Sequence, residues 1–351
     1  VLLSTPEIVS APQNLLPAAG SGSTPLPALL PEDPLYRTAQ AANEYLRASR
    51  ASSTRRAYEA DWRDFSVWCQ GHSLETLPAT PASIALYLSD LAQRGRKVAT
   101  ITRRLTSINI VHRRAGLASP SQNQPLIAET LQGIRRTLGT RQQVKQPVDL
   151  ELLKRAIANA QGTLAASRDR ALLLVGFAGG MRRSELAALR VENLTWHKRG
   201  ITIFLPTSKT DQEQQGREVE LPLGSQPNET PLSALTCPVR ALEQWMKQAS
   251  IKTGPVFRRV THAQTIGGGL DPRSIGEIVK RMLRQAGLSE QELKRYGAHS
   301  LRAGFATEAY RNGASELAIM RQTGHKSSAM VRRYIRTDKA DRMAAASKLG
   351  L

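Results

Sequence analysis

Eleven consecutive residues near the middle of the chain, 139–149 (GTRQQVKQPVD), carry no apolar period, and helix-patterned sequence lies on both sides of them. A stretch of that kind does not pack as a layer, so it reads as an interdomain linker and imposes a two-domain solution. The length permits it, since 351 residues can supply two separate hydrophobic cores. The linker also holds Arg141 and Lys145, two cations that could lie on phosphates.

Upstream, residues 35–138 show only helical signals. Tyr58, Trp62, Phe65 and Cys69 recur every three or four residues, with Ser53 as a cap and Gly71 as a stop. Thr80 followed by Pro81 makes a cap and first turn for a helix with Ile84, Tyr87, Leu88 and Leu91 inward. A third helix, residues 97–115, turns Val98, Ile101, Leu105, Ile108 and Val111 inward and offers Lys97, Thr100 and Arg104 on its other face. A fourth, residues 126–138, carries Arg135 and Arg136. Helices with one apolar and one basic face suit a small bundle laid on a duplex. Residues 1–34 are rich in Pro, Ser, Ala and Leu without a period, and read as a disordered tail.

Charge agrees with a polyanionic partner. The net charge is +20, and residues 1–36 contain three acids and no Lys or Arg, so the remainder carries +23. Such a surface attracts a nucleic-acid backbone and makes binding salt-dependent, although ribosomal and chromatin-packing proteins share the property. Cys69 and Cys237 have no metal-ligand spacing and read as reduced core thiols of a cytosolic protein. No long apolar run or basic leader pattern is present, so neither a membrane span nor a signal peptide is expected.

Downstream, residues 150–160 and 167–177 are helix-like, the second leucine-rich and hence buried. In GGMRRSELAALRVENL, Gly179 and Gly180 make a tight turn, with Arg182 and Glu185 three apart behind it. Residues 200–206 and 217–222 alternate as the strands of a β-hairpin, with Lys209 where the first strand ends. A helix is expected around Ala241, Leu242, Trp245 and Met246, a loop at residues 267–269, and an amphipathic helix over 275–286 offering Lys280, Arg281 and Arg284 to DNA. In the last fifth, His299 and Arg302 share a helix face, Thr323-Gly324-His325 breaks the helical pattern, and Tyr334 lies in a basic segment with Arg332, Arg333 and Arg336. Met330, Val331 and Ile335 would pack around that tyrosine, while Tyr296 and Tyr310 are assigned to packing. A basic cluster ending in a tyrosine suggests phosphate chemistry with a phenol nucleophile. Metal and nucleotide cofactors have no visible site.

The ordered set Arg182, Glu185, Lys209, His299, Arg302, His325 and Tyr334 resembles the tyrosine recombinase (phage integrase) family, and most of all its simple, Cre-like members. The resemblance spans residues 48–351. It implies a mainly α, two-domain DNA clamp: a helical, SAM-like core-binding domain over 35–138, the linker, and a mostly helical catalytic domain over 150–338 with a small β-hairpin sheet. Larger members carry a further arm-binding domain at the N-terminal end, for which residues 1–34 are too short and too proline-rich. Tyr334 would attack a phosphate, leaving a 3′-phosphotyrosyl link and a free 5′-hydroxyl. Arg182 and Arg302 would hold the phosphate, since guanidinium grips two oxygens in a fixed fork. Lys209 would protonate the departing oxygen, His299 would assist proton transfer at the tyrosine, His325 would hydrogen-bond the phosphate, and Glu185 would orient its basic neighbours. The phosphotyrosyl bond conserves the energy of the broken phosphodiester, so neither ATP nor metal is required.

The family further implies double-stranded DNA with inverted-repeat half-sites as partner and a tetramer on two sites, with no membrane or small-molecule substrate. Residues 339–351, with Met343, Ala346 and Leu349 at helical spacing, would dock on a neighbouring protomer. A cytoplasmic location, at the nucleoid in a bacterium, is expected. Two other readings compete: a type IB topoisomerase, which uses similar residues without exchanging partners, and a non-catalytic DNA-binding protein on the same fold.

Overall fold

Helical periodicity becomes helix throughout the first half of the chain. The computed structural model describes residues 30–48, 51–141, 144–160, 162–206, 216–224 and 235–335. The chain divides into two units, Val1–Gln142 and Gln143–Leu351. In the first, α1 (Tyr36–Ala48), α2 (Ser52–Gly71), α3 (Pro81–Gln93), α4 (Val98–Arg114) and α5 (Pro125–Leu138) follow one another. Phe65, Cys69, Ile84, Tyr87, Leu88, Leu91, Ile101, Ile108 and Ile127 form its core. Thr80 caps α3 by accepting from the Ser83 amide at 3.1 Å, with Pro81 in the first turn. Ser53 does not cap α2. The cap falls two residues earlier, at Ala51, with no side-chain bond there.

This core is stitched by ions that spacing did not reveal. Asp61, 3% exposed, accepts two bonds from Arg103, at 2.7 and 2.9 Å. Asp64 accepts from Tyr87 Oη at 2.7 Å and from Arg104, whose Nη1 also donates to Tyr87 Oη at 2.8 Å. Burial, then the hydrogen bond to Asp64, pushes the Tyr87 phenol far above its ordinary pKa.

In the second unit residues 144–148 are not a free spacer. Gln146 N donates to Arg295 O at 2.8 Å, Val148 N to Ser300 O at 3.0 Å, and Val148 is fully buried in this unit's core. Asp149 then caps α6 (Leu150–Ala158) by accepting from Leu152 N at 2.8 Å. The close approach depends on Gly304, because a Cβ there would sit 2.0 Å from Val148 O. After α7 (Leu164–Ala178) and α8 (Arg183–Ala188), β1 (Leu194–His197), β2 (Gly200–Leu205) and β3 (Arg217–Pro222) pair antiparallel in that order. Ile201 faces Leu221 and Ile203 faces Val219 across the hairpin, and all four are buried, the period-two alternation of a half-covered sheet.

Two features were not anticipated: β1 extends the hairpin to three strands, and residues 267–269 belong to a strand rather than a loop. β4 (Arg258–Val260) pairs with β5 (Ile266–Gly269) in a second small sheet. The α-helices that follow among the described residues include α9 (Pro238–Gln248), α10 (Pro272–Gln285), α11 (Glu290–Leu293), α12 (His299–Arg311), α13 (Glu316–Thr323) and α14 (Ser328–Arg332). α7 is buried on all sides, so its Arg168 and Asp169 pair with each other at 2.7 Å, and Arg281 from α10 also bonds Asp169. Among the described residues, no helix is long and apolar enough to cross a membrane.

Candidate active site

Three segments converge in the second unit. The first is the turn after α7. Gly180 adopts φ +54°, where a Cβ would meet Thr323 Cγ2 at 2.8 Å, so only glycine fits both the backbone and the space. Behind it Arg182 occupies the N-cap of α8. Glu185, one turn on, accepts from Arg182 N at 2.8 Å and from Arg182 Nη1 at 2.7 Å. This is a buried pair, with Glu185 only 4% exposed.

The second segment is α12, which begins at His299 and carries Arg302 one turn later, fully buried. Arg302 Nη1 donates to Gly180 O at 2.7 Å and Thr323 O at 2.5 Å, and Nη2 donates to His325 Nε2 at 2.8 Å. Its Nε–H is buried and has no partner among the described residues. Burial, reinforced by the charge of Arg182, lowers the Arg302 pKa to about 10.

The third segment runs from the C-terminal end of α13 to Tyr334. Gly324 ends α13 in the left-handed region at φ +68°, which turns the chain so that His325 enters the site. His325 is buried, and burial followed by the charge of Arg302 depresses its pKa to about 3, so the ring is neutral. Tyr334, just beyond α14, sits with its ring centroid 4.7 Å from that of His325 and 5.1 Å from that of His299, and 5.6 Å from Arg302 Cζ. Its hydroxyl is 2.7 Å from His299 Nε2. Val331 is buried beside Ala306 and Ile319, with Ile335 and the Tyr334 ring packed against them.

Six of the seven expected catalytic residues therefore meet. Lys209 lies outside the described residues, in the connection between β2 and β3, as do Arg336 and residues 339–351. Arg217 was missed. It opens β3, donates to Gln322 O at 2.7 Å and to Glu185 Oε2 at 3.1 Å, and has a buried Nε–H with no partner among the described residues. Burial, chiefly, lowers its pKa. Among the described residues a single carboxylate thus faces the guanidiniums of Arg182 and Arg217, with Arg302 close enough for both to act on its charge. Among the described residues, the excess positive charge and two buried N–H groups without a partner make this pocket complementary to an anion with several oxygens. No group of three or more His, Cys, Asp or Glu side chains converges among the described residues as a metal would need.

The expected DNA-contacting cations divide. Lys97, Arg135, Arg136 and Arg141 are exposed in the first unit. Arg104 is not available: its side chain is 11% exposed and held by Asp64 and Asp61. Lys145 donates to Lys294 O at 2.5 Å. Lys280 pairs with Glu277, Arg281 with Asp169 and Arg284 with Glu290, so each already holds a carboxylate. Of the other tyrosines, Tyr296 is partly buried against the core, whereas Tyr310 is 45% exposed and does not serve packing as expected.

Known proteins share both the sequence pattern and the fold. Residues 148–341 match the sequence model of the phage integrase family. An integrase/recombinase xerD homolog of Selenomonas ruminantium is 40% identical over 300 residues, 84% of this chain and 84% of that protein. Recombinase cre of Escherichia phage P1 is 26% identical over 291 residues, 78% of this chain and 81% of its own. Among solved structures, the Tn1549 transposon integrase in complex with transposon right end DNA aligns with a TM-score of 0.57 at 15% identity, covering 89% of this chain and 98% of that one. XerH recombinase bound to palindromic difH substrate aligns with a TM-score of 0.56 at 19% identity, covering 78% and 73%. At these identities the structural likeness speaks to the fold.

Proposed function

The chain belongs to the phage integrase family, as a tyrosine-type recombinase that acts on DNA, and we propose that it cuts and rejoins strands with Tyr334 as nucleophile through a 3′-phosphotyrosyl intermediate. The observation that carries this reading is the 2.7 Å contact between the Tyr334 hydroxyl and His299 Nε2, beside a buried guanidinium with an unpaired N–H. An in-line displacement at phosphorus needs a nucleophile, a proton donor for the leaving oxygen, and positive charge for the transition state. Tyr334 donates its phenolic proton to His299 as it attacks. Arg302 and Arg182 take the non-bridging oxygens, and binding the anion offsets the desolvation that depresses Arg302. His325 accepts from Arg302 through Nε2 and so anchors the guanidinium that meets the phosphate. Lys209 protonates the departing 5′ oxygen. Glu185 orients Arg182 and Arg217 and does not react.

In this reading the two units clamp a duplex with inverted-repeat half-sites, the first through Lys97, Arg135 and Arg136, and Arg141 meets a phosphate nearby. Four protomers assemble on two sites, residues 339–351 dock on a neighbour, and neither ATP nor metal takes part. The test is capture of SDS-stable protein–DNA adducts from genomic DNA, wild type beside Tyr334→Phe, with the attached ends sequenced. Adducts at one inverted-repeat site that vanish in the variant support the reading. Scattered adducts would instead indicate a type IB topoisomerase, and tight DNA binding without adducts a non-catalytic binding protein.

A further inference from the structure

Thr323 has no part in the chemistry above, yet its hydroxyl is buried at the centre of the site. It donates to Ile319 O at 2.5 Å and lies 2.7 Å from His325 Nδ1. A hydroxyl has one proton. With that proton on the Ile319 carbonyl, Thr323 can only accept from the imidazole, so Nδ1 must carry hydrogen. The other side of the ring gives the same answer independently. Arg302 has no acceptor, so the 2.8 Å contact from its Nη2 to His325 Nε2 requires a lone pair on Nε2. A neutral ring with Nε2 bare is protonated at Nδ1. The bonds therefore run in one direction: Arg302 to His325, His325 to Thr323, Thr323 to Ile319 O.

We infer that Thr323 is a positioning residue of the reaction: it holds His325 as the Nδ1–H tautomer, so that Nε2 keeps its lone pair for Arg302 and anchors that guanidinium for the phosphate. The inference rests on the recombinase reading for its catalytic consequence, but not for the tautomer itself. The residue's geometry is set from both sides. α13 fixes its backbone, and its methyl packs on Gly180, where no Cβ could be accommodated. Without the hydroxyl, the Nδ1–H would be buried with no acceptor. The alternative tautomer would turn an N–H toward the Arg302 donor. Either outcome loosens the anchor of Arg302, whose fork must meet the phosphate in a fixed orientation.

Thr323→Val removes the hydroxyl at nearly constant shape, and Thr323→Ser restores it while losing the methyl. The direct readout is the nitrogen NMR shift of both His325 ring nitrogens in histidine-labelled full-length protein, assigned with His325→Gln. In wild type and Thr323→Ser, Nδ1 is expected at the protonated position and Nε2 at the bare one, and in Thr323→Val the two move toward an average. Cleavage of a nicked duplex should fall on the order of tenfold to a hundredfold in Thr323→Val, with DNA affinity unchanged, and recover in Thr323→Ser. A protonated Nε2 in the wild type overturns the inference even if the valine variant fails to fold. So does a valine variant that keeps its tautomer yet loses cleavage, or loses its tautomer yet cleaves normally. If the wild type forms no adduct with DNA, the recombinase reading fails, while the wild-type shifts still decide the tautomer.

Discussion

Replacing Glu185 with Gln removes the carboxylate that bonds Arg182 and Arg217 and nearly preserves shape. Glu185 accepts from Arg182 Nη1, Arg182 N and Arg217 Nη2 at 2.7, 2.8 and 3.1 Å. The amide can keep its oxygen at the Oε2 position, which retains two of these donors. Its NH2 then meets Arg182 Nη1, donor against donor. A charge-assisted bond lost in this way is worth about 1.5–3 kcal/mol. The buried guanidiniums also lose their counter-charge, and breaking a buried pair from one side costs about 3–5 kcal/mol in all. Taking about 3 kcal/mol, and about 2–4 °C per kcal/mol for a unit of this size, the thermal transition of the C-terminal unit should fall by about 6–12 °C. Sulfate at saturation should recover part of that fall, because an anion now supplies the charge that Glu185 did. Calorimetric scans with and without sulfate measure both effects. A shift under about 2 °C, or one that sulfate deepens, would refute the assignment of Glu185 as the charge that holds Arg182 and Arg217 in place.

Gly304→Ala should destabilise the C-terminal unit by about 3 kcal/mol or more, read by denaturant unfolding, since the added carbon meets the carbonyl of Val148, a buried residue whose N–H is tied to Ser300 O. His325 makes stability depend on pH. Its folded pKa, about 3, lies below the ordinary 6.5, so the unfolded chain binds more protons between these values and stability drops as pH falls through that window. His325→Gln should flatten this slope in the C-terminal unit, and an unchanged slope would contradict it. Arg135→Ala with Arg136→Ala should reduce the slope of log affinity against log salt by about 2 if both meet phosphates. Arg104→Ala should leave that slope unchanged and instead destabilise the helical unit by about 1–3 kcal/mol, because its partners Asp64 and Asp61 lose a buried donor.

The helices were legible because their apolar residues recur at helical spacing over long runs, as in Val98, Ile101, Leu105 and Ile108. Six side chains of the proposed site were legible as an ordered set, although their convergence depends on turns of which only the glycines leave a mark. Arg104 shows where pattern reading stops. It has the spacing of an exposed basic face, and only the fold brings Asp61 and Asp64, some forty positions earlier, against it. Residues 144–148 lack a helical period because they run extended along the second unit, with Val148 buried and Val144 exposed, not because they are loose. Arg217 and Thr323 left no signal. One is a strand-opening cation like many others, and the other a helix-terminal threonine whose role exists only beside a histidine ring.

The most direct test of the central claim is to trap cleavage on a nicked duplex from which the short strand diffuses away, trim the adduct with nuclease, and locate the modified residue by peptide mass spectrometry. The account predicts one nucleotide-modified peptide containing Tyr334, joined through the 3′ phosphate, with a free 5′-hydroxyl on the released strand. An adduct on Tyr296 or Tyr310, or a linkage through a 5′ phosphate, would contradict it.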